Sequence, residues 1–112
     1  MSARRMGSNI EINDTLKLTA AEGFPAKLEV GGRYKFRKSG RRLFHLRPVR
    51  VFLVEEIDGK WKMWGHALLD ELTIDAVRDE TAGVFEVSML YPEEHRRVLT
   101  EYGVPQGKAY PG

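Results

Sequence analysis

The chain has 112 residues, 42% of them apolar and 30% charged, the composition of one globular domain rather than of a disordered segment. It contains no cysteine, which excludes disulfide scaffolds, thiol catalysis and cysteine-ligated zinc or iron–sulfur centres. The net charge of +2 conceals an asymmetry: no Asp or Glu occurs between Val30 and Val54, where eight cations fall, and the rest of the chain holds 10 basic against 16 acidic residues.

Residues 1–8 read as a flexible tail, and 9–112 as a single domain. Ile10, Ile12, Leu16 and Leu18 share parity with polar residues between them, so an extended segment bent at Asn13-Asp14 is expected. Thr19 and Glu22 have capping-box spacing, which predicts one helical turn before Gly23 and Pro25 end it. After the Gly31-Gly32 turn, Arg33–Lys38 alternates basic and aromatic residues. Ser39-Gly40 is a plausible two-residue loop joining it to a return strand, Arg41–Leu46. Asp58-Gly59 is a stronger turn, because both residues accept positive φ, and it joins Val49–Ile57 to Lys60–Leu69 with Glu55 facing Lys62 and Leu53 facing Trp64. Residues 70–83 read as a polar connection turning at Thr81-Ala82-Gly83, and Phe85–Tyr91 as the last strand. Pro92-Glu93-Glu94 then opens a predicted helix with His95, Val98, Leu99 and Tyr102 on one stripe, ended by Gly103. The expected fold is mainly β: a small, mostly antiparallel barrel of five to six strands with a short amino-terminal helical turn and a carboxy-terminal helix.

Pleat parity in the first hairpin defines the main candidate site. Arg33, Lys35, Arg37 and Arg42 fall on one face with Phe44 and Leu46, while Tyr34, Phe36, Leu43 and His45 face the core. Lys38 and Arg41 flank the loop tip. Guanidinium groups hold phosphate in two-point contacts and an adjacent Phe44 ring offers a stacking surface, so the expected partner is nucleic acid, RNA before DNA. The competing explanation is a charged edge strand that blocks aggregation. Trp61 and Trp64 must point to opposite faces of their strand, and Trp64 with His66 is a candidate pocket mouth. His45, His66 and His95 lack metal-ligand spacing, and Asp70, Glu71 and Asp75 lack the pattern of a calcium loop, so neither metal nor cofactor is expected.

The stretch from Gly31 to Asp75, with GGRYKFRKSGRRLFHLRP, VRVFLVEEIDGKWK and GHALLDELTID, resembles small PUA-like barrels, the superfamily of PUA, ASCH and EVE domains. The resemblance covers about half the chain and implies a pseudo-barrel that binds RNA or modified bases. The ASCH motif GxKxxExR finds no glutamate in Gly32–Lys38, so no catalytic residue carries over. Three functions follow as expectations: an RNA-binding module without catalysis; a small enzyme acting on a modified nucleoside; or a homo-oligomeric interaction module in which the basic segment meets the acidic 70–80 region of a neighbouring copy. No apolar run reaches the roughly 18 residues of a membrane span, and MSARRMGS lacks a hydrophobic signal core, so the cytoplasm is the expected location and a membrane is not an expected partner.

Overall fold

The computed structural model describes residues 11–99. Eight strands carry the fold: β1 (Ile12–Asn13), β2 (Thr15–Leu18), β3 (Arg33–Ser39), β4 (Leu43–Phe44), β5 (Val51–Ile57), β6 (Lys60–Asp75), β7 (Glu80–Leu90) and β8 (Val98–Leu99). The main sheet runs β2-β5-β6-β7-β3, with β8 added to β6, and it curls into a half-barrel. β1 and β4 form a separate two-stranded ladder. The ladders of the main sheet are antiparallel except β2–β5, which is parallel, as is β1–β4.

The long strands bury alternate residues. Leu16 and Leu18, Val51 and Leu53, Ala67 and Leu69, and Phe85 and Val87 fill the concave side with Phe24, Phe36 and Phe44. Phe36 meets Phe44 edge-on at 6.0 Å and lies 6.2 Å from Phe85. Three bulges bend the sheet. Trp64 is the extra residue of β6 against β5, Asp70 the extra residue of β6 against β7, and Ser88 the extra residue of β7. A bulge sharpens local twist and re-aims the side chain it carries, and two of these residues reappear below.

The Asp58-Gly59 hairpin forms as expected, with φ of 51° and 77° at the two turn residues and Glu55 opposite Lys62. Leu53, however, pairs with Gly65 rather than Trp64, because the bulge consumes one residue.

The first predicted hairpin does not form. β3 pairs along its whole length with β7, from Arg33 opposite Glu86 to Ser39 opposite Glu80, and residues 41–46 do not return along its other edge. Beyond Gly40 the chain is drawn aside: the Arg42 amide donates to Thr81 Oγ1 at 2.8 Å, and β4 pairs with β1. Residues 70–83 are not a connection either. β6 continues to Asp75 and β7 begins at Glu80, with the reversal at 76–79, where Asp75 Oδ1 accepts the amides of Val77 and Arg78.

The two expected helices are absent among the described residues. Thr19 and Glu22 do exchange the reciprocal capping-box bonds, at 3.0 and 3.2 Å, but they close a turn and no helix follows. At the other end a 3-10 turn, Glu93–His95, is followed by β8. There the Arg97 carbonyl accepts the Met63 amide, and Val98 and Leu99 pair with Lys62 and Trp61. Three isolated helical turns are marginal, and joining a sheet edge satisfies the same backbone groups. Tyr102 and Gly103 lie outside the described residues, as does Ile10. Ile12, expected on a buried face, is exposed.

The half-barrel is left open between its edge strands β2 and β3. Lys38 bridges this seam: its Nζ donates to the Lys17 carbonyl at 2.6 Å and pairs with Glu22 Oε1 at 3.0 Å. The Arg37 amide adds a bond to the Glu22 carbonyl at 2.9 Å.

Candidate nucleic-acid interface

Strand parity holds for β3 itself: Arg33, Lys35 and Arg37 point outward and Phe36 inward. Their surroundings differ from the expectation, because β3 lies beside β7 and β6, which carry the acidic residues. Arg33 bonds Asp70, Arg37 lies 3.8 Å from Glu80, and Arg41 lies 3.6 Å from Asp79. The basic segment and the acidic 70–80 region therefore meet within one molecule. Lys38 turns inward and is 6% exposed. Phe44, the expected stacking ring, is 5% exposed and belongs to the core, because β4 pairs with β1 instead of lying back on β3. Of the expected contact residues, Lys35 and Arg42 have no carboxylate in ion-pair reach among the described residues, although Arg42 Nε donates to the Ser39 carbonyl at 2.9 Å.

Arg47 is the hub of this charged face. Its guanidinium reaches Asp70 Oδ1 at 2.5 Å and Glu86 Oε1 at 2.6 Å, while Asp70 also receives Arg33. The Arg47 hydrogen bonds hold the Asp70 carboxyl below its ordinary range, and the same bonds raise the Arg47 guanidinium further above its own. Asp70 reaches both arginines from its bulge position. The pairing of these charges is not legible in the sequence, because the bulge is invisible to parity.

The convex face of β5 and β6 is different in character. Because Val51 and Leu53 point inward, Phe52 points outward and is 40% exposed. It lies beside His66, its pairing partner, with ring centroids 5.5 Å apart and an edge-on angle of 72°. Tyr91 closes the cluster: its ring is 5.5 Å from His66, and its hydroxyl lies 3.0 Å from His66 Nε2. Phe52 and His66 line a cleft of about 330 Å³ with Val49, Arg50 and Val51. Burial, and secondarily the nearby Arg50 charge, lowers the His66 pKa, so the neutral imidazole is favoured. His66 Nδ1 is buried without a hydrogen-bond partner. Arg50 itself has no carboxylate in ion-pair reach among the described residues.

Trp64 does not share this cleft with His66. Its bulge turns the indole toward Phe24, 5.8 Å away, with Nε1 donating to Glu55 at 2.9 Å and the Lys62 and Arg96 cations each 4.6 Å from the ring. The expected pairing of Trp64 with His66 at one mouth is thus replaced by Phe52, His66 and Tyr91. The signal for Phe52 was present in the parity of VRVFLVEE, whose inward residues are Val51 and Leu53.

Among the described residues no group of three or more histidine or acidic side chains could hold a metal ion, and no helix is long and apolar enough to cross a membrane. Comparison with protein-family models, with curated proteins and with solved structures finds no match to this chain.

Proposed function

We propose that the chain is a module for binding single-stranded nucleic acid, RNA in particular, through the convex face of β5 and β6 rather than through the basic strand. The observation that carries this reading is Phe52, a phenylalanine left on a sheet surface beside His66 and Arg50, which is unpaired among the described residues. A base can stack on Phe52 while Arg50 meets a phosphate, a combination that tolerates any base because every base has a π-face. The basic strand is the weaker surface, since Arg33, Arg37 and Arg41 already face carboxylates. A curled β half-barrel suits kinship with PUA-like modules, and a cytoplasmic RNA partner is consistent with that kinship.

A second reading rests on the same patch. Val49 and Met89, 49% and 38% exposed, extend its apolar character, as a protein partner or a second copy would use.

Fluorescence anisotropy with labelled oligouridylate over a salt series separates these readings. The wild type is expected to bind, Phe52→Ala to weaken binding by about tenfold, and Arg50→Glu to flatten the log K against log salt slope by roughly 0.7. Both positions are exposed, so circular dichroism should show an intact fold. Absence of binding by the wild type, or binding lost in Arg33→Glu/Arg37→Glu but unchanged in Phe52→Ala, refutes the proposal. Concentration-dependent sedimentation without oligonucleotide affinity supports the second reading instead.

A further inference from the structure

The aromatic face does not end at β5. Thr15 of β2 is the pairing partner of Phe52, and it also lines a second cleft of about 240 Å³ at the open seam of the half-barrel. Leu16 and Leu18 are buried inward, so Thr15 and Lys17 share the convex side with Phe52. Crossing from His66 through Phe52 to Thr15 takes two strand spacings, about 10 Å, and Lys17 lies a further two residues along β2, about 7 Å. The two clefts are therefore successive stations on one surface track.

The second cleft is electrostatically defined. Lys17 Nζ sits 4.3 Å from the centroid of the Trp61 ring, which holds the ammonium in place without neutralising it. Arg42 enters from beyond β3, anchored through Nε to the Ser39 carbonyl. Lys38 lies at the cleft with its charge met by Glu22, and Asp14 supplies a carboxylate whose Oδ1 accepts the Thr15 hydroxyl at 3.0 Å. Taken together, Lys17, Lys38 and Arg42 against Asp14 and Glu22 leave a single net positive charge. That balance suits a phosphodiester, which carries one negative charge. A terminal phosphate near −2 would place surplus negative charge beside Asp14.

We infer that the Lys17–Arg42 cleft is a phosphodiester subsite that holds the backbone of the strand whose base stacks on Phe52. It rests on the proposed nucleic-acid function and adds a polarity of ligand: internal segments are preferred over phosphorylated ends.

The test compares wild type, Lys17→Gln, Lys17→Gln/Arg42→Gln, Asp14→Asn and Phe52→Ala against three probes: oligouridylate, the dinucleotide UpU and uridine 5′-monophosphate. The double variant is expected to lose about tenfold in affinity for oligouridylate. Its salt slope should fall by roughly 0.7, the loss of one phosphate contact. Lys17→Gln alone should give about half that slope change, which covers the case in which altering Arg42 disturbs the 39–42 segment. Wild type should favour UpU over the monophosphate, and Asp14→Asn should narrow that preference. Unchanged affinity and slope in both Lys17 variants, with binding still weakened in Phe52→Ala, overturns the subsite and leaves the aromatic face standing. Equal or tighter binding of the monophosphate by wild type overturns the diester assignment. If Phe52→Ala has no effect, it is the underlying proposal that fails.

Discussion

Lys38 is the residue on which closure of the half-barrel depends, and its replacement by methionine isolates that role. Methionine retains most of the buried stem but removes the ammonium, and with it the bonds to the Lys17 carbonyl and to Glu22 Oε1. A hydrogen bond involving a charged group contributes about 1.5–3 kcal/mol when its partner is left dry. The Glu22 side chain keeps 26% of its exposure and can rehydrate, so the combined loss is set near ~2 kcal/mol, toward the lower end of that range. For a domain of this size that corresponds to about 10 °C in Tm.

The pH dependence gives a second readout of the same contact. Burial pushes the Glu22 carboxyl up, but the Thr19 amide, the Lys38 ammonium and the Arg42 charge together outweigh it, and the pKa lies below its ordinary 4.5. A depressed carboxyl contributes stability above its unfolded value and loses it as the pH falls through the folded value. Chemical denaturation should therefore show the gap between wild type and Lys38→Met widest above about pH 4.5 and narrowing on acidification. Glu22→Gln combined with Lys38→Met should cost less than the sum of the two single changes. Stability of Lys38→Met within about 0.5 kcal/mol of wild type, with an unaltered pH profile, would refute the view that this lysine holds the seam.

Thr81 is fully buried, donates to the Gly40 carbonyl and accepts the Arg42 amide, both at 2.8 Å; Thr81→Val should cost about 2 kcal/mol in urea denaturation, and Thr81→Ser much less. A Cβ on Gly65 would stand 2.0 Å from the Met89 carbonyl oxygen, so Gly65→Ala should separate β6 from β7 beside His66. Loss of amide-exchange protection at residues 65–67 would register this. His66 should titrate below 6.5 in an NMR pH series. Because its folded pKa is depressed, the contribution of neutral His66 is complete above the unfolded value and declines as the pH falls from there through the folded value. Tyr91→Phe should leave the direction of that shift unchanged, since burial and Arg50 cause it.

Legibility of the fold followed the range of the interactions. The Asp58-Gly59 hairpin was readable because its turn and both strands are adjacent in sequence, and two positive φ angles admit few residue pairs. The inward parity of Leu16, Leu18, Phe36, Phe85 and Val87 was readable for the same local reason. The partner of β3 was not. Ser39-Gly40 has hairpin composition, yet β7 takes the whole strand, and Gly40 instead donates its amide to the Asp79 carbonyl at 2.6 Å. The carboxy-terminal stripe of His95, Val98 and Leu99 has helical spacing, but pairing beside Trp61 and Lys62 decides its conformation. Bulges at Trp64 and Asp70 shift the parity on which any face assignment depends, so parity sets Leu53 opposite Trp64 where the structure sets it opposite Gly65.

The same long-range pairing changes what the charge asymmetry means. A basic stretch followed by an acidic one suggests a polyanion site when read linearly. Folded, it places Arg33, Arg37, Arg41 and Arg47 against Asp70, Glu80, Asp79 and Glu86, so the convex side of β3, β6 and β7 largely satisfies itself. Lys35 is unpaired there among the described residues, but a polyanion approaching that side must displace carboxylates before gaining any of the four arginines, and it is repelled by those it displaces. Among the described residues Arg50, Lys17 and Arg42 present no such competition from an ion pair, and they flank the convex patch where Phe52 is exposed. The charge pairs of one region therefore make the other region the better electrostatic target. This predicts a specific asymmetry: neutralising Asp70 and Glu86 should create new, salt-sensitive oligonucleotide binding at Arg33 and Arg47 that survives Phe52→Ala. Wild-type binding, by contrast, should weaken about tenfold when that single ring is removed.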